Sequence, residues 1–266
     1  MTHEFQAIDK FFSNIDFLVP GDSRSSQYMV AIHKEFYAWA TGRVAGQTVL
    51  DAGCGEGFGA DTLAQTAEQV IAIDIKPELI EHARRRYPAA NLLFQVMDCT
   101  AMDFTPGFFQ VVICNEVIEH LTDYRAFLRE AHRVLAPRGR FICATTNAEI
   151  SFRAPDGSPM NRHHDQEFTV RTLRAELARH FDSVHIFSQL MNPAFREYTL
   201  DRKARFLERL MIALGFKHKI PIRLRNRVRQ WLTGVDLVSA TRAGFPVVHG
   251  EASDALYLIG IGEKTA

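Results

Sequence analysis

Val49-Leu50-Asp51-Ala52-Gly53-Cys54-Gly55-Glu56-Gly57-Phe58-Gly59 reads as an apolar strand that runs straight into a glycine-rich turn and then a helix. Glycine at 53 and 55 lets the backbone take positive φ and come close to a ligand. The spacing narrows which ligand. A dinucleotide fingerprint, G-x-G-x-x-G, needs glycine at 58, where this chain has Phe58, and the carboxylate of Asp51 has no partner in a pyrophosphate. A nucleotide-like ligand that also carries an ammonium group gives that acid a role.

Outward from this turn, short apolar runs alternate with helix-period segments from Gln47 to about Phe187, the pattern of a parallel sheet covered by helices on both faces. The strand candidates are Thr48–Ala52, Val70–Asp74, Leu92–Met97, Phe109–Asn115, Gly139–Thr145, Val184–Phe187 and a last one, Leu256–Ile261. The first six are rich enough in β-branched and aromatic residues to be buried on two sides. Between them, Pro77 suits a first helical position and Pro88 ends that helix, with Glu78 in its first turn and Arg84, Arg85 and Arg86 in its last. Leu79, Ile80, Ala83 and Tyr87 make its inner face. Tyr124–Leu135 repeats the period through Phe127, Leu128, Ala131, Val134 and Leu135, with Pro137 and Gly139 as the stop. A third helix runs from about Val170 to His180, capped by Thr169.

Composition excludes whole classes. At 266 residues, 47% apolar and 23% charged, the chain can bury a core of ordinary size and is neither disordered nor fibrous. Equal numbers of basic and acidic residues, 31 each, argue against a protein coated in nucleic acid. Cys54, Cys99, Cys114 and Cys143 stand far apart and read as free thiols. The N-terminal stretch lacks a signal-peptide pattern and no run of about 18 apolar residues occurs, so the expected compartment is the cytoplasm.

The set Asp51-x-Gly53-x-Gly55-x-Gly57 resembles the first motif of class I S-adenosylmethionine-dependent methyltransferases. That resemblance implies roles for further residues. Asp51 helps hold the cofactor's amino group. Asp74, with Ile75 beside it at the end of the second strand, matches the acid that grips both ribose hydroxyls, since a carboxylate accepts two bonds at once. Asp98 and Cys99 match the position that reads the adenine edge. Asn115 and Glu116 end the fourth strand, where a backbone carbonyl meets the methionine amine. Arg24 and Tyr28, upstream, match a segment that covers the methionine end. Ligands of open α/β sheets lie outside the strands' carboxyl ends, so these acids are expected to converge there.

Asn115-Glu116-Val117-Ile118-Glu119-His120-Leu121 resembles the E-V-I-E-H-L stretch of a methyltransferase branch with glycan, cell-envelope and secondary-metabolite enzymes. Asn161-Arg162-His163-His164-Asp165-Gln166-Glu167-Phe168-Thr169 resembles that branch's N-P-x-H-x-x-E-F-T loop, with His164 as the matching histidine. The chain departs from the branch at Pro137-Arg138-Gly139, in place of Pro-Gly-Gly, and at Thr145-Thr146-Asn147. Methyl transfer is an in-line displacement, so the protein chiefly aligns nucleophile, carbon and sulfur. A hydroxyl acceptor must also lose a proton, and an imidazole, with an ordinary pKa near ~6.5, suits that task. His120 and His164 are the candidate bases, with Glu119 to orient either ring.

The same Glu116, Glu119, His120 and His164 also resemble the divalent-metal set of small-RNA 3′-terminal 2′-O-methyltransferases, and a cofactor-binding scaffold without turnover is a third reading. In the plainest reading His120 caps a turn and His163 and His164 are solvated. Between Asp201 and Trp231 ten Lys/Arg face two acids, a net charge of +8. This block reads as an amphipathic lid, or as a surface for an anionic membrane or a phosphate-bearing acceptor. Its sparse aromatics speak against base stacking.

The expected architecture is α/β, Rossmann-like. It has seven strands, mostly parallel with the last antiparallel, a count that comes from the resemblance. An N-terminal helical cover (1–46) precedes a cofactor-binding core (47–190), and a basic helical insertion (191–250) precedes the final strand and C-terminus (251–266). The resemblance implies S-adenosylmethionine as cofactor, S-adenosylhomocysteine as product, and a small-molecule or glycan hydroxyl as acceptor.

Overall fold

The computed structural model describes residues 27–151, 158–159, 161, 163–200, 222–234, 244–252 and 254–265. Helix α1 (Gln27–Thr41) leads into β1 (Thr48–Ala52), α2 (Phe58–Ala64), β2 (Gln69–Asp74), α3 (Pro77–Arg86), β3 (Leu92–Val96) and β4 (Phe109–Asn115). A 3-10 turn (Ile118–His120) follows, then α4 (Tyr124–Val134), β5 (Leu135–Thr146), α5 (Val170–Leu177) and β6 (Ser183–Gln189). Helices α6 (Pro193–Leu200) and α7 (Ile222–Thr233) precede β7 (Val247–His249) and β8 (Tyr257–Glu263).

The sheet order is β3-β2-β1-β4-β5-β8-β6-β7. Strands β3, β2, β1, β4 and β5 are mutually parallel, and β8 runs antiparallel between β5 and β6. Side chains of a strand alternate between faces, and the core divides accordingly. Leu50, Ile71, Ile73, Val112, Cys114 and Phe141 meet α4 and α5 on one face. Val49, Val70, Ala72, Val111, Ile113 and Ile142 meet α1, α2 and α3 on the other. The strand order changes direction between β1 and β4, which opens a crevice at their carboxyl ends.

Local chemistry sets the helix ends. Lys76 precedes Pro77 at the start of α3, Asp123 accepts the Ala126 N–H at 2.9 Å, and Thr169 and Thr172 exchange bonds in a capping box.

Four expectations need correction. The sheet has eight strands, not seven, because Val247–His249 adds a short edge antiparallel to β6. Residues 191–250 are therefore not wholly helical. Strand β3 is not buried on two sides, since as an outer strand with one neighbour it leaves Leu93 and Val96 about half exposed. Pro137 and Gly139 do not form a stop outside the sheet. Helix α4 ends at Val134 and Leu135 already pairs with Phe109, so the irregularity is absorbed as a register shift within β5. That shift places exposed Arg138 at φ 64, a left-handed conformation that disfavours a residue with a Cβ. Arg138→Gly is expected to raise stability by ~1 kcal/mol, or about 2–4 °C in Tm by calorimetry; an unchanged or lower Tm counts against strain there.

Candidate functional site

The glycine-rich turn is tied down from β2. The Gly53 and Cys54 N–H groups both donate to the Ile73 carbonyl, at 2.8 and 2.9 Å, and the Gly55 N–H donates to Asp74 Oδ2 at 3.0 Å. Gly53 and Gly55 have φ 77 and 54. Their surroundings differ. A Cβ on Gly53 would lie 2.4 Å from Val117 Cγ2, so the close approach there is to the protein's own chain. A Cβ on Gly55 would meet nothing within 4 Å, so the cradle opens at that residue.

Around the cradle stand the acids at the strand ends. Asp51 is fully buried and accepts from the Tyr37 hydroxyl at 3.2 and 3.4 Å. Burial lifts its carboxyl from the ordinary 3.8 to about 7; the Tyr37 bond opposes that lift and the nearby Asp74 charge adds to it. Asp74 accepts backbone N–H groups of Gly55 and Lys76 at 3.0 Å, one on each oxygen, and a carboxylate has roughly four acceptor positions, so room for a diol remains. Ile75 beside it is 62% exposed, an apolar face at the rim. Exposed Asp98 holds the Thr100 N–H and hydroxyl at 2.8 and 2.7 Å. Cys99 and Cys54 are buried thiols. Arg24 lies outside the described residues, and so does the side chain of Tyr28 in α1.

At the end of β4, Asn115 Nδ2 lies 3.1 Å from His33 Nδ1. Glu116 has φ 56, uncommon for a residue with a side chain. Burial first, then the neighbouring Glu119, pushes its carboxyl well above the ordinary range, while bonds from Tyr257 and Thr146 oppose this. Glu119 is fully buried and accepts the Thr146 N–H at 3.3 Å.

The loop before α5 closes over the 3-10 turn. Asp165 N–H donates to the Glu119 carbonyl at 2.8 Å, and Gln166 Nε2 bonds the Ile118 and Leu121 carbonyls at 2.6 and 3.1 Å. His120 and His164 meet edge to face with ring centroids 4.8 Å apart. His120 Nδ1 lies 2.8 Å from the His163 carbonyl oxygen. A carbonyl only accepts, so Nδ1 carries the proton and Nε2 keeps the lone pair.

His164 Nδ1 lies 2.9 Å from Glu167 Oε1, with the two side chains 7% and 2% exposed. Ser151 donates to the same Glu167 carboxylate. Two expectations change. The carboxylate on an imidazole here is Glu167, three residues along the loop, rather than Glu119. His164 is not a solvated loop residue, because that hydrogen bond and the His120 ring enclose it.

Among the described residues no three His, Cys, Asp or Glu side chains stand where they could hold a metal ion together, so Glu116, Glu119, His120 and His164 do not form such a set. Likewise no described helix is long and apolar enough to cross a membrane. Most of the basic block lies outside the described residues; its helix α7 leaves Trp231 81% exposed.

Sequence reading missed His33, Tyr37, Glu167 and Tyr257. A signal existed for the first two: Met29, His33 and Tyr37 recur every four residues and so share one stripe of α1.

S-adenosylmethionine fits these residues on two structural observations: the open cradle at Gly55, and carboxylates of Asp51 and Asp74 brought to one rim. Comparison with known proteins agrees. Residues 50–143 match the family model described as "Methyltransferase domain". A protein of Mycolicibacterium smegmatis, named a "probable S-adenosylmethionine-dependent methyltransferase", is 35% identical over 58% of this chain and 59% of its own length. A ubiquinone biosynthesis O-methyltransferase of Xanthomonas euvesicatoria pv. vesicatoria is 35% identical over 39% of this chain and 45% of its own. The chain thus spans about half the length of these curated relatives. In structure, an S-adenosylmethionine-dependent methyltransferase of Thermotoga maritima superposes with a TM-score of 0.56 at 14% identity, covering 88% of this chain and 91% of that one, which establishes the fold. Over residues 50–143 the chain is thus similar to a methyltransferase domain.

Proposed function

We propose that this chain is an S-adenosylmethionine-dependent methyltransferase that methylates a hydroxyl of a small molecule or glycan, with His120 as the base. The observation that carries the reading is the hydrogen bond from His120 Nδ1 to the His163 carbonyl. It presets the ring in the tautomer whose Nε2 accepts a proton, just past the end of β4. His120 is exposed while His164 is enclosed, so His120 is the ring that reaches an acceptor. The relative named for O-methylation supports the same acceptor atom.

Asp51 would hold the cofactor's ammonium, Asp74 its ribose hydroxyls, Asp98 the adenine amino group, and Ile75 the face of the base. The main chain at Asn115 and Glu116 would close the methionine end. When bound, the cofactor supplies a methyl group on a sulfonium, already a good leaving centre. His120 Nε2 takes the acceptor's proton as the oxygen attacks; Glu167 and His164 hold the ring wall behind it.

The test pairs calorimetry with S-adenosylhomocysteine and transfer of tritiated methyl to a panel of phenols, catechols and sugars. Binding, and label on a hydroxyl oxygen with or without EDTA, is expected. A chain that binds no S-adenosylhomocysteine sinks the cofactor reading; label on nitrogen or carbon sinks the O-methyl assignment; loss of transfer in EDTA sinks the metal-free mechanism.

A further inference from the structure

Helix α1 presents three stations, one turn apart, to the carboxyl ends of β1 and β4 and to the amino end of the antiparallel β8. The Met29 sulfur lies 3.8 Å from the Tyr257 hydroxyl of β8, His33 Nδ1 lies 3.1 Å from Asn115 Nδ2 of β4, and the Tyr37 hydroxyl reaches Asp51 of β1. The Asn115 amide nitrogen only donates, so His33 Nδ1 is the acceptor and its proton sits on Nε2. That Nε2 is buried and, among the described residues, is the one buried side-chain nitrogen with no hydrogen-bond partner. Buried donors in folded proteins are satisfied, so a lone one on a ring bonded to Asn115, at the carboxyl end of β4, points to a ligand.

We infer that His33 binds the carboxylate at the amino-acid end of the cofactor through its Nε2–H, a contact that rests on the methyltransferase reading above. Two arguments select the carboxylate. The cradle beside β1 and β2 is acidic, with Asp51 and Asp74 close to each other, which suits an ammonium and leaves a ligand carboxylate in need of a donor elsewhere. The ammonium and carboxylate of an α-amino acid leave the same carbon, so they need neighbouring stations. His33 is one helical turn, ~6 Å along the axis, from Tyr37, the partner of Asp51. Asn115, Phe58 and Tyr257 pack around the imidazole and none is a full charge. Burial lowers it to about 4, so near neutral pH the ring is uncharged and donates through Nε2–H.

Calorimetry tests this with S-adenosylhomocysteine and with its analogue lacking the carboxylate, 5′-(3-aminopropylthio)-5′-deoxyadenosine. His33→Phe keeps the ring's volume and removes the donor; it is expected to weaken S-adenosylhomocysteine about tenfold or more. His33→Gln, whose amide N–H replaces Nε2–H, is expected to stay within about threefold of wild type, which separates loss of the donor from a folding defect. The analogue is expected to bind wild type and His33→Phe alike. Equal affinity of wild type and His33→Phe for S-adenosylhomocysteine, or an equal loss for both ligands, overturns the assignment. Wild type that binds neither ligand defeats the methyltransferase reading instead.

Discussion

Asp51→Asn is expected to weaken S-adenosylhomocysteine binding at least ~30-fold and, in the same protein, to raise the Tm of the ligand-free state. The two effects share one cause. The ligand-free carboxyl sits at about 7 because burial disfavours its charge, so ionised Asp51 is held at a cost until an ammonium arrives. Against an ordinary 3.8, with ~1.4 kcal/mol for each tenfold, the cost at pH 8 is about 4 kcal/mol. The sign follows directly: a carboxyl lifted in the folded state makes stability fall as pH rises from about 4 to about 7, then level off. Asparagine keeps an acceptor for Tyr37 and carries no charge. The variant's advantage in Tm is therefore expected to be small at pH 4 and about 8 °C or more at pH 8.

Ligand binding follows the opposite course. An ammonium favours the ionised carboxylate, so wild-type affinity is expected to rise about tenfold per pH unit toward 7 and flatten above it, while Asp51→Asn shows no such rise. Calorimetry at pH 5.5, 6.5 and 7.5, beside thermal melts, reads both arms. A wild-type affinity that does not vary over this range, or an asparagine variant that melts lower at pH 8, would remove Asp51 from the ammonium site.

His120→Ala is expected to lower kcat for methyl transfer to a hydroxyl by ~10²–10⁴, the usual worth of a positioned general base, while S-adenosylhomocysteine affinity changes by less than about twofold. The split matters because the ring acts on the acceptor and not on the cofactor. His164→Ala is expected to cost less, since that ring touches His120 and Glu167 and is enclosed. Should His164→Ala abolish transfer and His120→Ala spare it, the base is His164. Glu167→Gln leaves a hydrogen-bond partner but no charge, and the wall behind His120 is expected to loosen enough to lower kcat without moving the acceptor's KM.

The strands and helices of the core were legible because they rest on local alternation. Val49, Leu50 and Val70, Ile71 belong to the continuous apolar runs that a sheet covered on both faces requires, neighbours going to opposite faces, and Phe127, Leu128, Ala131 and Val134 show the helical period. The rim acids were legible for the same reason: a residue at the carboxyl end of a parallel strand has its place once the strand is recognised. Val247–His249 was not, because three residues carry too little pattern and pair only through a neighbour distant in sequence.

What the chain alone determined is therefore the α/β layering and the row Asp51, Asp74, Asp98 and Asn115 along one edge. Only the tertiary structure decided which partner each polar group meets: Tyr37 on Asp51, His33 on Asn115, Glu167 on His164, and the His163 carbonyl on His120. The physical reason is that periodicity fixes which face a side chain takes, whereas a hydrogen bond between residues dozens apart depends on how helix α1 and the loop before α5 dock, and burial then makes those bonds strong and sets the pKa of Asp51.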